Sequence, residues 1–141
     1  MKILIGLILM AVFLFLAGIH FYWGLGGKWG AEAAIPTQED NRKVMHPKLF
    51  SCLVVAFGLL SIGLFVFIKF RNLLIGLPNW LMNDGLWGVS ALFILRAIGD
   101  FKYIGFFKKI KRTKFGQMDT KYYSPLCLVI GLLAMSLQLL K

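Results

Sequence analysis

Four runs of apolar residues, parted by polar stretches, set the frame of the chain. The first is Met1 to Tyr22 (MKILIGLILMAVFLFLAGIHFY) and the second Leu49 to Ile68. The third, Leu73 to Phe101, is broken near Pro78, and the fourth is Pro125 to Leu140. About 20 apolar residues in helical form cross a hydrocarbon core of about 30 Å. The pattern therefore predicts an all-α fold, an integral membrane bundle of four transmembrane helices over residues 3–22, 49–68, 80–101 and 124–140. These form one domain spanning 1–141. Lys2 ahead of an apolar stretch would also suit a signal peptide. The run is long for that, and no small-x-small site closes it, so it reads as a retained helix.

Spacing within each run predicts which face meets the bundle. Gly6, Met10, Phe13, Ala17, His20 and Gly24 recur at steps of three and four, a nearly straight seam on a helix. Ser51, Val54, Gly58, Ser61 and Phe65 repeat this in the second run. Leu81, Gly85, Gly88, Leu92, Arg96, Gly99 and Tyr103 do so in the third, with Trp87, Ile94, Ile98 and Phe101 opposite. Cys127, Gly131, Ala134 and Gln138 mark the fourth. Small residues on a seam let helices approach closely in lipid, so these faces are expected inward.

Composition supports lipid as the solvent. The chain is 59% hydrophobic and 16% charged, against roughly a quarter charged in a soluble domain, and mean hydropathy is +0.77. The net charge of +10 does not indicate nucleic acid, because no soluble basic face exists to carry phosphate contacts. It indicates orientation. The termini and the second loop hold Lys2, Lys69, Arg71 and Lys141, whereas the other twelve of the sixteen Lys and Arg residues lie in the first and third loops or at Arg96. The positive-inside rule then places loops 23–48 and 102–123 in the cytoplasm and both termini outside, in a multi-pass membrane protein. Lys2 opposes that orientation.

Candidate chemistry gathers in one stretch, Arg96 to Leu126 (RAIGDFKYIGFFKKIKRTKFGQMDTKYYSPL), which holds eight of the sixteen bases. His20, Arg96, Asp100, Asp119, Tyr122 and Tyr123 are all expected near the same ends of helices one, three and four. Ionisable groups at membrane depth are costly, so they are paired or functional. The functional reading is an interfacial pocket for an anionic or amphiphilic ligand such as a lipid headgroup. Arg96 would hold the anion by its planar fork, and His20 would donate or take a proton. The structural reading pairs Arg96 with Asp100 at i,i+4, stitching helix three to the loop, in the weaker of the two orders for such a pair. Lys108, Lys109, Lys111, Arg112 and Lys114 form a dense cluster interleaved by Phe106, Phe107 and Phe115. It reads as an orientation signal, and also as a contact for anionic lipid at about 1 kcal/mol per basic residue near the surface. Asp84 could meet Gln138 across the bundle, although capping its helix start is the simpler role.

No metal site or cofactor is expected. His20 has no partner at ligand spacing, Cys52 and Cys127 sit in apolar runs as small hydrophobes, and phosphate-loop, Cys-x-x-Cys, His-Glu-x-x-His and nucleophile-elbow motifs are all missing from the sequence. Four blocks, HFYWGLGGKWG (20–30), AIPT (34–37), RAIGDFKYIGFFKKIKRTKF (96–115) and DTKYYSPLCL (119–128), give the chain a resemblance to a bacterial family of small four-helix membrane proteins of unknown function (DUF 3995). The resemblance implies four spans in a bacterial plasma (inner) membrane, and no activity or catalytic residue. The leading functional expectation is a non-enzymatic lipid- or partner-binding module. Anionic headgroups, a second copy of the chain or another membrane protein are its expected partners. The alternative is a small membrane enzyme on an amphiphilic substrate, with His20 as acid or base. A transporter component ranks third, since no pair of broken helices is evident.

Overall fold

The computed structural model describes residues 1–34, 49–73, 75–99 and 104–140. Helix α1 spans Lys2–Gly24, the short α2 Ala31–Ala34, α3 Leu49–Arg71 and α4 Asn79–Ile98. A last helix runs Lys114–Leu139. It consists of α5 (Lys114–Met118), a wide π-helical turn (Asp119–Tyr123) and α6 (Ser124–Leu139). Four helices are thus long and apolar enough to cross a membrane, and the described residues contain no strand. Expectation and structure agree on an all-α, four-span chain. The bounds differ most at the fourth span, where residues placed in the 102–123 loop are already helical from Lys114.

The π-helical turn has a local cause. Pro125 carries no N–H, and in an unbroken α-helix its ring would press on the carbonyl four residues back, at Lys121. One wider turn just before the proline absorbs the misfit. In it, the Ser124 N–H donates to the Asp119 carbonyl five residues back.

The helices associate as two antiparallel pairs, α1 with α3 and α4 with α6. Gly6 lies against Phe70, Phe13 against Gly63 and Gly24 against Cys52. In the second pair Gly131 lies against Ser90 and Ile94, and the Ser90 hydroxyl donates to the Gly131 carbonyl at 2.8 Å. A Cβ at Gly131 would fall 2.6 Å from the Ile94 side chain and 3.1 Å from the Ser90 carbonyl oxygen, so glycine here lets the two helices approach closely. The pairs meet through one apolar core that includes Leu9, Phe13, Leu59, Val66, Leu86, Phe93, Ile130 and Leu137. Phe13 and Phe93 touch edge to face, with centroids 5.4 Å apart. Outward stand Leu4, Phe15, Val54, Phe57, Leu64, Leu92, Leu95, Val129 and Leu139. Apolar surface of this extent is consistent with a surrounding of lipid.

Two of the four seams sit where the spacing puts them. Gly6, Phe13, Ala17 and Gly24 are buried on α1, and Gly131, Ala134 and Gln138 on α6. The other two are rotated. On α3 the buried stripe is Cys52, Ala56, Leu59, Gly63, Val66 and Phe70, while Ser51, Val54, Gly58 and Ser61 are exposed. On α4 it is Leu86, Val89, Ser90, Phe93 and Ala97, while Gly88 and Leu92 are exposed. Ser61 shows why a hydroxyl can face lipid: it donates to its own helix, at the Phe57 carbonyl, over 2.8 Å.

A buried ion network at one end of the bundle

The candidate site lies where α1 and α4 end and the last helix begins. Helix α4 stops at Gly99, whose φ of +88° is open to glycine and strained for other residues. The chain returns at Gly105, with φ +89°. A Cβ on either glycine would overlap a backbone carbonyl of the opposite strand of the reversal, Ile104 or Ile98. The tightness lets the Phe106 N–H donate to the Ala97 carbonyl at 2.8 Å. Residues 104–113 are thereby folded back against the end of α4. Thr113 then caps α5, its hydroxyl accepting from the Gly116 N–H at 3.0 Å. Helix α2 of the first loop packs on α5 at this same end.

Asp119 is the centre of the arrangement and is wholly buried. Its Oδ1 accepts from the Arg96 guanidinium at 3.0 Å. Its Oδ2 accepts from three donors: the Gly105 N–H at 2.8 Å, the Lys108 ammonium at 3.0 Å and the Ser124 hydroxyl at 3.1 Å. The Ser124 bond depends on the wide turn, which brings i and i+5 onto one side. Lys108 is buried too, at 1% exposure. Besides Asp119 it donates to the Gly105 carbonyl at 2.9 Å and the Thr120 hydroxyl at 2.6 Å. Each of its three N–H groups has an acceptor. A carboxylate removed from water needs this many donors, since an unpaired buried charge costs several kcal/mol.

Arg96 differs from Lys108. Its side chain is 32% exposed, and its Nη1 is shielded from solvent with no acceptor among the described residues. Two cations, Arg96 and Lys108, face the single carboxylate of Asp119, so the trio carries one surplus positive charge.

The residues singled out by sequence are only partly assembled here. Arg96 and Asp119 meet, across 23 positions of chain. Asp100 lies outside the described residues; among the described residues the acid that pairs with Arg96 is Asp119. His20 is directed at the Leu16 carbonyl, 2.7 Å from Nδ1, and stands edge-on to Trp23 at 5.3 Å. Among the described residues no hydrogen bond joins it to Arg96 or Asp119. Tyr122 is exposed, under the Lys121 ammonium. Tyr123 is half-buried with its ring 6.0 Å from that of Phe115. The basic cluster divides: Lys108 is interior, while Lys109, Lys111, Arg112 and Lys114 are exposed. Asp84 is exposed, and Gln138 donates instead to the neighbouring Asn83 carbonyl. Cys52 and Cys127 are free thiols.

Gly105, Thr120 and Ser124 belong to the site and carried no functional flag in the sequence. Pro125 was the available signal, since a proline inside a span forces an irregular turn whose polar neighbours must bond to something. Among the described residues no three His, Cys, Asp or Glu side chains converge as metal ligands would.

A family model described as a protein of unknown function matches residues 13–134, most of the length. The chain belongs to the DUF3995 family. The matched span contains Arg96, Gly105, Lys108, Asp119 and Ser124, and stops short of Lys2 and Gln138. No curated protein and no solved structure matches the chain. Family membership thus accords with a small four-span membrane protein and brings no activity with it.

Proposed function

We propose that the protein is a non-enzymatic membrane module that engages anionic lipid at the end of the bundle holding Asp119, with that end in the cytoplasm. The division of the basic cluster carries the reading. Lys108 is drawn inside, and Lys109, Lys111, Arg112 and Lys114 remain exposed on a segment fixed by the Gly105, Phe106 and Thr113 bonds. Charges presented on an ordered segment avoid the entropy that a free loop loses on binding. Exposed aromatics stand at the same end: Trp29, Phe107 and Tyr122, rings that favour the headgroup region. The excess of Lys and Arg in the two loops at this end supports its cytoplasmic placement, against the anionic inner leaflet.

Reconstitution in bilayers of mixed phosphatidylglycerol and phosphatidylcholine, followed by native mass spectrometry of the retained lipids, tests this. The expected result is enrichment of the anionic lipid, reduced about tenfold or more in K109Q/K111Q/R112Q. Equal retention of both lipids by the native protein, or an enrichment that the triple variant keeps in full, overturns it.

A further inference from the structure

Surface charge attracts a membrane without choosing a chemical group, whereas Arg96 is placed to choose one. Asp119 is bound to its two cations in different ways. On Oδ2 it has Lys108, the Gly105 N–H and Ser124, all from buried residues. On Oδ1 the only donor among the described residues is Arg96. Lys108 alone balances the carboxylate. Arg96 is therefore the surplus charge, and the trio lacks one negative charge. Arg96 is also the partner with a way out. It sits in the last turn of α4, with a third of its side chain exposed. In its present pose Nη1 is dry and meets no acceptor among the described residues, a cost that a turn toward an acceptor would relieve.

We propose that Arg96 is a phosphate receptor: one Nη2 N–H stays on Asp119 Oδ1 while the Nη1 edge of the guanidinium turns to a phosphate group at the membrane surface, and Lys108, Gly105 and Ser124 keep Asp119 in place. The guanidinium presents two parallel N–H donors to such a group, which a lysine cannot. The phosphate supplies the negative charge that the trio lacks. It can belong to a lipid headgroup or to a free phosphate ion. The inference deepens the lipid-binding reading by naming one group and one residue, and it can fail separately from it.

The test uses the full chain in uncharged detergent, with thermal unfolding as the readout. A short-chain phosphatidic acid is titrated against the diacylglycerol of the same chains, which lacks the phosphate. In a second arm, inorganic phosphate replaces chloride at constant ionic strength. The native protein is expected to gain several degrees with phosphatidic acid and nothing with diacylglycerol. Arg96→Gln removes the gain. Arg96→Lys keeps a cation beside Asp119, and so the fold, but has a single nitrogen and also loses the gain. K109Q/K111Q/R112Q needs more phosphatidic acid to reach the gain but retains it at saturation. An equal, Arg96-dependent gain with inorganic phosphate supports the site and assigns it to the free ion. A much smaller one assigns it to the headgroup. Full retention of the gain in Arg96→Lys, or a native protein that phosphatidic acid leaves unmoved, overturns the inference. Loss in the triple variant with retention in Arg96→Lys overturns it while leaving the broader lipid reading intact.

Discussion

The two ends of the bundle solve the same problem differently. At one end a buried carboxylate collects four donors, two of them cationic, and a turn of chain is folded in to supply them. At the other, polar side chains reach uncharged acceptors. Lys69 and Gln138 donate to the backbone carbonyls of Met82 and Asn83, and Lys2 to the Asn72 side chain at 3.2 Å. The far end closes over a short connection between α3 and α4 with its acid, Asp84, in the open. Water can replace such a bond when it breaks. Nothing replaces the bonds of a carboxylate that water does not reach. The contrast teaches that the first end is a specified structure, while the second is an ordinary interface, and substitutions sort accordingly.

The largest effect is expected from Asp119→Ala. It leaves Lys108 buried without a counter-charge and releases the reversal at Gly105. Breaking a buried pair in this way costs about 3–5 kcal/mol, read as a lower midpoint of unfolding in detergent. A loss below about 1 kcal/mol would mean that the network is not what fixes this end. Next comes Gly105→Ala. Its φ of +89° and the overlap with the Ile98 carbonyl predict a loss of roughly 1–3 kcal/mol from strain alone. Gly88→Ala is the internal control. Gly88 lies mid-helix on α4 with open space where a Cβ would go, so the same substitution should stabilise by about 0.5–1 kcal/mol. Equal signs at the two positions would remove the argument that the reversal requires glycine.

How much of this was legible in the sequence depends on what lipid does to patterns. Four helices could be read because length and apolar content alone mark a span. The faces of α3 and α4 could not. Lipid and protein core are equally apolar, so a span has little contrast between its sides, and small residues were the only guide. That guide works on α1 and α6, where Gly6 and Gly131 face a neighbour. It misleads at Gly58 and Gly88, which have open space around them. The site shows a similar limit. Arg96 and Asp119 could be named because charges near a span are rare. Their pairing, and the removal of Lys108 from its run of surface bases, depend on a reversal at Gly99 and Gly105 and on the wide turn before Pro125. Both bring together residues far apart in sequence, and helical spacing carries no information about either.

The smallest effect belongs to the far end and probes the comparison most finely. Gln138 is 3% exposed. Its Nε2 donates to the Asn83 carbonyl, while its Oε1 has no partner among the described residues. Gln138→Leu removes a buried acceptor that is already unsatisfied and frees a carbonyl on an exposed residue, which water can take. The loss of one bond and the relief of one unsatisfied atom are each about 1 kcal/mol and opposite in sign. The net change in stability should therefore be within about 1 kcal/mol of zero, measured by the same unfolding in detergent. A cost matching that of Asp119→Ala would show that Gln138 Oε1 is engaged in something essential, and the far end would then rank with the near one. A neutral result, beside a large loss at Asp119, would trace the difference between the ends to whether water can stand in for the lost partner.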